Sequence, residues 1–311
     1  MKLNDFFDEF IEYRALLVRD VTLYNNIAHL KKDIFPFFEN KEVNEISELD
    51  ILRWIKMLDE FLWNGTIYIR KVIFKIYMDF ALTKGYISEN VVAKTPFSRH
   101  QNRKKPVHLW GAKEYIMFIE CLKYHNVWTL EKEIVIRLLL LNGLRSEEYR
   151  AIQLYKIDFG RNCISILDAV NTQMDTVQVR KLHKTKTSFG IREAPIDALT
   201  MSLIQLHINS FKVKNKETFL FHHPKTGNPR SSNFMLSTFR RYSKIAGIPT
   251  VTPRELRHSY VNNARKAGVD IGIISKSVGH ASITTTAKYY YHVATDEIFQ
   301  ANEQMMKYMD I

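Results

Sequence analysis

Two stretches near the C-terminus, PRELRHSYVNNARKAG at residues 253–268 and VGHASITTTAKYYYH at residues 278–292, are the most informative part of this chain. They contain an ordered set of side chains that suits chemistry at a phosphodiester: Arg257, His258, His280, Tyr289, Tyr290 and Tyr291. A guanidinium holds a phosphate by two parallel hydrogen bonds, and an imidazole shares the charge that develops on it. A tyrosine hydroxyl can attack phosphorus to form a covalent phosphotyrosine. The two stretches therefore predict nucleophilic attack on a DNA phosphate.

The segment resembles the C-terminal motif of the tyrosine site-specific recombinases, the family that includes phage integrases and Xer proteins. The stretch LLLLNGLRSEEYRAIQL at residues 138–154 extends the resemblance, because the family's first motif has an arginine after a Gly-Leu pair and a carboxylate three residues later. Arg145 and Glu148 occupy these two positions. The resemblance implies an Xer-like layout, in which a helical core-binding domain and a mixed α/β catalytic domain clamp duplex DNA.

A third stretch, KLHKTKTSFGIREAPI at residues 181–196, resembles the family's β-hairpin, whose lysine reaches into the DNA near the broken bond. Lys186 matches this lysine best, and Lys184 is the alternative. A lysine at this place can donate a proton to the departing 5′ oxygen, because desolvation beside phosphate-bound arginines brings its pKa toward neutrality.

The second family motif is altered in this chain. The family pattern is His-x-x-Arg, but Arg254 stands three residues before Arg257 where the family has histidine. Residues three apart share a helix face, so both guanidinium groups can address one phosphate. Arginine keeps its proton at all relevant pH and cannot accept the tyrosine proton. Two alternatives follow: water and the second histidine carry that proton, or the activity is weak.

The last two family positions are a histidine and the nucleophile. His280 matches the histidine, and the family spacing of nine residues from it selects Tyr289. Counting backward from His292 selects Tyr290 instead. The TTxxY pattern that ends at Tyr289 agrees with the forward count, so Tyr289 is the preferred nucleophile.

The resemblance implies a catalytic set and a reaction. The catalytic residues would be Arg145, Lys186, Arg254, Arg257, His280 and Tyr289, with Glu148 and His258 in support. The arginines would hold the scissile phosphate while the tyrosine forms a 3′-phosphotyrosine and frees a 5′-hydroxyl. No cofactor is implied, because the phosphotyrosine conserves the bond energy without ATP and the arginines supply the charge that a metal ion supplies elsewhere.

Length and charge agree with a DNA-acting protein of two domains. At 311 residues the chain is long enough for two domains, and its net charge of +12 suits a polyanionic partner. Residues 1–105 contain 17 Lys and Arg against 15 Asp and Glu, whereas residues 106–311 contain 28 against 18. The basic excess thus lies in the part of the chain that carries the motifs.

Other sequence features restrict the location and the ligands. No apolar run is long enough to span a bilayer, and the first ten residues lack a secretory signal pattern, so we expect a cytoplasmic, nucleoid-associated protein without membrane contact. Cys121 and Cys163 lack a metal-ligand spacing and are expected to be structural thiols. No metal site is expected.

The apolar spacing predicts the secondary structure. Helices are expected through the first ninety-odd residues, including one at residues 67–82 and one with Ser47 as its N-cap. Further helices are expected at residues 112–124 and 130–141 and from residue 198 onward. Short alternating runs predict a small antiparallel sheet at residues 164–170, 176–182 and 191–196. The expected fold is mainly α with a small antiparallel β-sheet, divided into a core-binding domain at 1–95, a linker at 96–106 and a catalytic domain at 107–311.

Two further segments suggest contacts. The linker is basic and acid-free, and we interpret it as lying across a DNA backbone, with a solvated flexible segment as the alternative; its cations are Arg99, Arg103, Lys104 and Lys105. The tail at residues 298–311 is amphipathic and can dock on a neighbouring protomer or pack on its own subunit.

The resemblance implies a homotetramer on two double-stranded DNA sites, and the sequence leaves accessory proteins open. The sequence also leaves open the target site, the cleavage spacing, and the choice among integration, resolution and inversion. One rival is a degenerate relative that binds DNA without recombining it, which the altered second motif supports. A second rival is a type IB topoisomerase, which shares the chemistry and relaxes supercoils.

Overall fold

The computed structural model describes residues 1–97, 107–170, 182–184, 190–211, 215–287, 305–307 and 309. The chain divides into two compact units, Met1–Pro106 and Val107–Ile311. The cations of the predicted linker lie outside the described residues: Arg99, Arg103, Lys104 and Lys105.

The first unit is helical, as its apolar spacing predicts. Its α-helices are α1 (Phe7–Leu17), α2 (Asp20–His29), α3 (Phe35–Phe38), α4 (Glu48–Asp59), α5 (Asn64–Thr83) and α6 (Val91–Lys94). Helix α4 begins at the predicted cap, where the backbone N of Asp50 donates to Ser47 Oγ at 3.3 Å. The Asp50 carboxylate in turn accepts from the backbone N of Ser47 at 3.0 Å, so the two residues form a reciprocal capping box at the start of the helix.

Aromatic side chains form the core of the first unit. Phe10, Phe74 and Tyr77 are fully buried, and so is Trp54, whose Nε1 donates to the carbonyl of Asp33 at 2.7 Å. The rings of Phe10 and Tyr77 meet edge to face with centroids 4.8 Å apart. This is a geometry that aromatic pairs prefer, so these aromatics serve packing.

The second unit surrounds a small sheet with helices. Its helices are α7 (Ala112–Tyr124), α8 (Leu130–Leu140), α9 (Ser146–Arg150), α10 (Ala198–Asn209), α11 (Leu236–Ile245), α12 (Pro253–Lys266), α13 (Ile271–Val278) and α14 (Ile283–Ala287). Its strands are β1 (Ile157–Asp158), β2 (Cys163–Ile166), β3 (Asp168–Val170), β4 (Leu182–Lys184) and β5 (Arg192–Pro195). The fold is mainly α with a small antiparallel β-sheet, as predicted. Both cysteines are free thiols, with Cys163 buried in β2 and Cys121 half-buried in α7.

The strands form two antiparallel sheets in the described part of the chain. One sheet has the order β1-β2-β5, and the other pairs β3 with β4. The prediction of one strand at residues 164–170 was wrong, because β2 pairs with β5 whereas β3 pairs with β4. The run predicted at residues 176–182 lies outside the described residues except for Leu182, which begins β4.

Helix α8 lies at the centre of the second core. Ile134, Val135, Leu138 and Leu139 are all fully buried, and the helix packs against α10 and α12. Its apolar length is therefore explained by burial inside a protein core. No helix in the described ranges is long and apolar enough to cross a membrane.

Residues at the start of the second unit hold α12 in place. The backbone N of Trp110 donates to Ser259 Oγ at 2.9 Å, and Asn263 Nδ2 donates to the carbonyl of Trp110 at 2.9 Å. The indole Nε1 of Trp110 donates to the carbonyl of Pro249 at 2.8 Å. Because α12 also packs on α8, its first turns present their side chains from a fixed support.

Candidate active site

A tight turn after α8 places Arg145. The chain passes through Gly143 with a φ of +62°, which glycine adopts without strain. A Cβ at this position would come within 2.5 Å of Tyr260 Cδ1 and 2.9 Å of Val278 Cγ1, so the close packing also requires glycine. The turn leads to Arg145, which is the N-cap residue of α9.

Glu148 gathers three arginines around one buried carboxylate. Its side chain is 2% exposed, and Arg145 donates to it from the backbone N at 2.8 Å and from Nη1 at 2.5 Å. Arg192 donates to both carboxylate oxygens, at 3.1 and 2.9 Å, and Arg257 Nη1 lies 4.0 Å from Oε2. Bidentate pairing fixes orientation as well as charge, so Glu148 holds the guanidinium groups in defined positions.

Three consecutive carbonyls at the C-terminal end of α13 bind the same three arginines. The carbonyls belong to Ser277, Val278 and Gly279. Arg192 Nε donates to the first at 2.7 Å, Arg257 Nη2 to the second at 2.7 Å and Arg145 Nη2 to the third at 2.9 Å. A helix C-terminus carries unpaired carbonyls and the negative end of the helix dipole, so it suits cations. Arg257 Nη1 also donates to the Gly143 carbonyl at 2.7 Å, which joins the turn to α12.

The same helix end positions His280. Gly279 ends α13 in the left-handed conformation with a φ of +67°, and the backbone N of His280 donates to the Ser275 carbonyl at 3.0 Å. His280 Nδ1 lies 2.8 Å from Thr286 Oγ1 in α14, which orients the imidazole ring. The helix that binds the arginines therefore also fixes this histidine.

These side chains line one pocket of about 410 Å³, formed by Arg145, Ser146, Glu147, Arg254, Arg257, His258 and His280. Arg257 is buried, His258 is half-buried and Arg254 is exposed. Their spacing of three and four residues puts them on one side of α12. The pocket thus contains four of the predicted catalytic residues together with His258, and Glu148 is bonded to Arg145 beside it.

Of the remaining predicted residues, the structure describes only Lys184. Lys186, Tyr289 and the alternative Tyr290 lie outside the described residues. Lys184 is the last residue of β4, where its Cα pairs with that of Asp168. The assignments of the general acid and the nucleophile therefore stay predictions.

The electrostatics of the pocket favour an anion. Burial lowers the pKa of Arg257, Arg145 lowers it further and Glu148 raises it, and the resulting pKa of about 9 leaves the guanidinium charged at pH 7. Burial raises the pKa of Glu148, but the hydrogen bonds and charge of Arg192 with the charges of Arg145 and Arg257 outweigh burial and hold that pKa at about 2. One buried anion thus faces three cations, and a phosphate can balance the excess charge.

Both histidines of the pocket are neutral at pH 7. Burial, followed by the charges of Arg257 and Arg145, lowers the pKa of His280 to about 4. Burial, followed by the charges of Arg254 and Arg257, lowers the pKa of His258 to about 4. A neutral imidazole can accept or donate a proton, so these side chains can do what an arginine cannot.

This arrangement predicts a pH dependence of stability. An unfolded histidine binds its proton near pH ~6.5, above the folded pKa of about 4, so acidification across that window favours the unfolded chain. We expect the free energy of unfolding to decrease as the pH falls from about 6.5 to about 4, and His280→Gln to reduce this slope. Urea unfolding at a series of pH values measures it. An unchanged slope in His280→Gln contradicts the lowered pKa.

Arg192 is the member of the cluster that the motif analysis missed. It lies in the stretch IREAPI, whose alternation predicted a strand and no site residue. A signal was present, because Arg192 shares the inward face of β5 with the buried Ala194. An arginine on a buried strand face requires a partner, and Glu148 is that partner.

A larger cavity of about 700 Å³ lies elsewhere in the second unit, and its one arginine, Arg230, is paired with Glu131. Arg230 donates to both carboxylate oxygens of Glu131, at 2.7 and 2.5 Å. The imidazoles of His207 and His222 lie 3.2 and 2.8 Å from backbone carbonyls. The smaller arginine-lined pocket is therefore the better candidate for binding a phosphate.

Comparisons with known proteins identify the family of this chain. The model of the phage integrase family matches residues 112–297, which is more than half of the chain. The model of the phage integrase N-terminal SAM-like domain matches residues 2–58. The chain therefore belongs to the phage integrase family and is a tyrosine recombinase.

The individual relatives share about a quarter of the aligned residues with this chain. The tyrosine recombinase XerD of Rickettsia prowazekii is 25% identical over 96% of this chain and 95% of its own length. The transposase from transposon Tn916 of Enterococcus faecalis is 25% identical over 74% of this chain and 55% of its own length.

Solved structures show the same fold. The Tn1549 transposon integrase in complex with a circular intermediate DNA gives a TM-score of 0.82 at 20% identity, covering 98% of this chain and 99% of that chain. A lambda integrase dimer bound to a COC′ core site gives a TM-score of 0.69 at 16% identity, covering 93% of this chain and 95% of that chain.

Proposed function

We propose that this protein cuts and rejoins duplex DNA at specific sites through a 3′-phosphotyrosine intermediate. The observation that carries the proposal is the convergence of Arg145, Arg257 and His280 on one pocket, with both guanidinium groups held by consecutive carbonyls of α13. Guanidinium groups fixed before the substrate arrives stabilise developing charge without reorganisation, which is an effective form of catalysis. The relatives named as recombinases and transposases support the proposal.

In the proposed reaction the pocket binds the scissile phosphate. The hydroxyl oxygen of Tyr289 attacks phosphorus and forms a new P–O bond. The bond between phosphorus and the bridging 5′ oxygen of the leaving strand breaks. Lys186 gives that oxygen its proton, and Arg145 and Arg257 stabilise the charge on the non-bridging oxygens. The phenolic proton of Tyr289 passes to Nε2 of the neutral His280, directly or through water, since Nδ1 of His280 is bonded to Thr286. Reversal by a 5′-hydroxyl from a second duplex completes strand exchange.

Under this proposal the positive charge of the site comes from protein. Arginine supplies a permanent charge and paired donors, which is the stabilisation that a divalent ion gives in other phosphoryl-transfer sites. The bond to tyrosine retains the energy of the phosphodiester, so the religation step requires no ATP. We therefore propose a reaction without a metal or other cofactor.

The proposed assembly is a tetramer on two double-stranded DNA sites. A lambda integrase tetramer bound to a Holliday junction has been solved, and its similarity to this chain supports the same assembly. We propose that residues 1–95 are a core-binding domain, that the basic linker crosses the DNA backbone, and that the protein works in the cytoplasm with the nucleoid. The exposed Met305, Met306 and Met309 give the tail an apolar surface for docking on a neighbour.

A covalent-trapping assay tests the proposal. Nicked duplexes from the DNA that flanks the gene are incubated with the protein, the reaction is quenched with detergent, and the adducted peptide is identified by mass spectrometry. An adduct at Tyr289 supports the proposal. Specific binding without an adduct favours the DNA-binding relative, and relaxation of a plasmid that lacks a recombination site favours the topoisomerase.

The altered second motif gives a separate prediction. Arg254 is exposed in the first turn of α12, whereas Arg257 is buried and makes the bonds that organise the pocket. We therefore expect Arg254→His to keep cleavage within about tenfold of the natural protein, since histidine can still donate a hydrogen bond to the phosphate. Single-turnover cleavage rates measure this. Complete loss of cleavage would show that Arg254 has a role that histidine cannot fill.

A further inference from the structure

Lys156 is a buried lysine that the proposed reaction does not use. Its side chain is 1% exposed, and Nζ donates to Asp168 Oδ2 at 2.7 Å and to the Ala151 carbonyl at 2.9 Å. An ammonium is costly to bury, and it is retained only with partners of good geometry. The pair therefore fixes the direction of Asp168 more strictly than an apolar contact of the same size.

Asp168 lies at the end of the two-stranded sheet that contains Lys184, one of the two candidate lysines. It is the first residue of β3, and its Cα is paired with that of Lys184 in β4. β3 and β4 form a sheet of their own, so the backbone hydrogen bonds of the β1-β2-β5 sheet do not extend to them. β3 packs against α9, the helix whose N-cap is Arg145.

We propose that Lys156 and Asp168 are positioning residues for the general acid. The ion pair ties this end of the β3–β4 sheet to the segment after α9, and thereby positions the end of β4 at Lys184, two residues before Lys186. This inference rests on the proposed function, because it assumes that Lys186, or Lys184 in its place, protonates the departing 5′ oxygen.

Leaving-group chemistry distinguishes positioning of the acid from general support of the fold. With a natural phosphodiester, the P–O bond to the 5′ oxygen breaks and that oxygen takes a proton from lysine. When sulfur replaces the 5′ oxygen, the P–S bond breaks and a thiolate departs without a proton, because a thiol is far more acidic than an alcohol. A defect that concerns only the acid is therefore repaired by the sulfur substrate.

The experiment compares single-turnover cleavage of matched nicked duplexes with 5′ oxygen or 5′ sulfur at the scissile bond. We expect Asp168→Asn to cleave the oxygen substrate about 10- to 100-fold more slowly than the natural protein, since a misplaced catalytic group costs this much. The same variant should cleave the sulfur substrate within about twofold of the natural protein. Glu193→Gln is the matched control. Glu193 is exposed on β5 and pairs with Arg161, and the variant should cleave both substrates at the rate of the natural protein.

Equal loss on the two substrates, or no loss on either, overturns the positioning role. If Asp168→Asn does not fold, the double variant Lys156→Met with Asp168→Leu removes the pair without leaving an unpaired buried charge, and the same selective loss is expected. Failure of the proposed function has a different signature, because the natural protein then cleaves neither substrate. If the 5′-sulfur substrate restores the cleavage rate of neither Lys184→Ala nor Lys186→Ala, neither lysine is the general acid. The positioning role is then also wrong.

Discussion

Under the proposed reaction, we expect Tyr289→Phe to abolish the covalent protein–DNA adduct and to leave specific DNA binding nearly intact. The substitution removes only the attacking hydroxyl, so no bond to phosphorus can form, whereas the guanidinium groups of Arg145 and Arg257 still bind the phosphate. The lost hydroxyl contributes at most one hydrogen bond, so the binding free energy should change by less than about 1.5 kcal/mol. Gel-shift titration and detergent-quenched trapping on the same duplex measure the two quantities.

The neighbouring tyrosine provides the matched control for this prediction. Tyr290→Phe removes the same atom one residue later and should keep the adduct. An adduct that persists in Tyr289→Phe and disappears in Tyr290→Phe moves the nucleophile to the position that counting backward from His292 selects. Loss in both variants points to a structural effect of the tyrosine run.

Glu148→Gln is expected to destabilise the second unit and to reduce cleavage strongly. The carboxylate is buried among three guanidinium groups, and removing one partner of a buried ion pair costs about 3–5 kcal/mol because the remaining charges are left uncompensated. Arg145 loses the ionised acceptor that orients it, so the cleavage rate should fall by at least about tenfold. Urea unfolding and single-turnover cleavage measure these effects.

The pH dependence of the same variant provides an independent test. The pKa of Glu148 is held at about 2, below its unfolded value, so its contribution is present above pH ~4.3 and is lost as the pH falls toward 2. This loss amounts to ~3 kcal/mol in the natural protein and should be absent from Glu148→Gln. Glu147→Gln, one residue away and facing the pocket, should keep the natural acid profile. Identical acid profiles for the natural protein and Glu148→Gln contradict the buried cluster.

The turn around Gly143 shows how far local patterns reach. The apolar spacing before it predicted a helix at residues 130–141, and α8 ends at Leu140, one residue earlier. The helix at residues 112–124 has the predicted bounds, because apolar spacing and capping depend on near neighbours. The run at residues 164–170 was misjudged, because the choice of pairing partner divides it into two strands.

The sequence by itself determined the class of this protein, since the order Arg145, Arg257, His280 and Tyr289 is a property of the chain and matches one family. Tertiary structure decided how the site is held together. The carbonyls of α13 and the bond between Arg192 and Glu148 each join elements that are far apart in sequence. The physical reason is that secondary structure follows from local spacing, whereas the partner of a buried charge is set by which elements pack together.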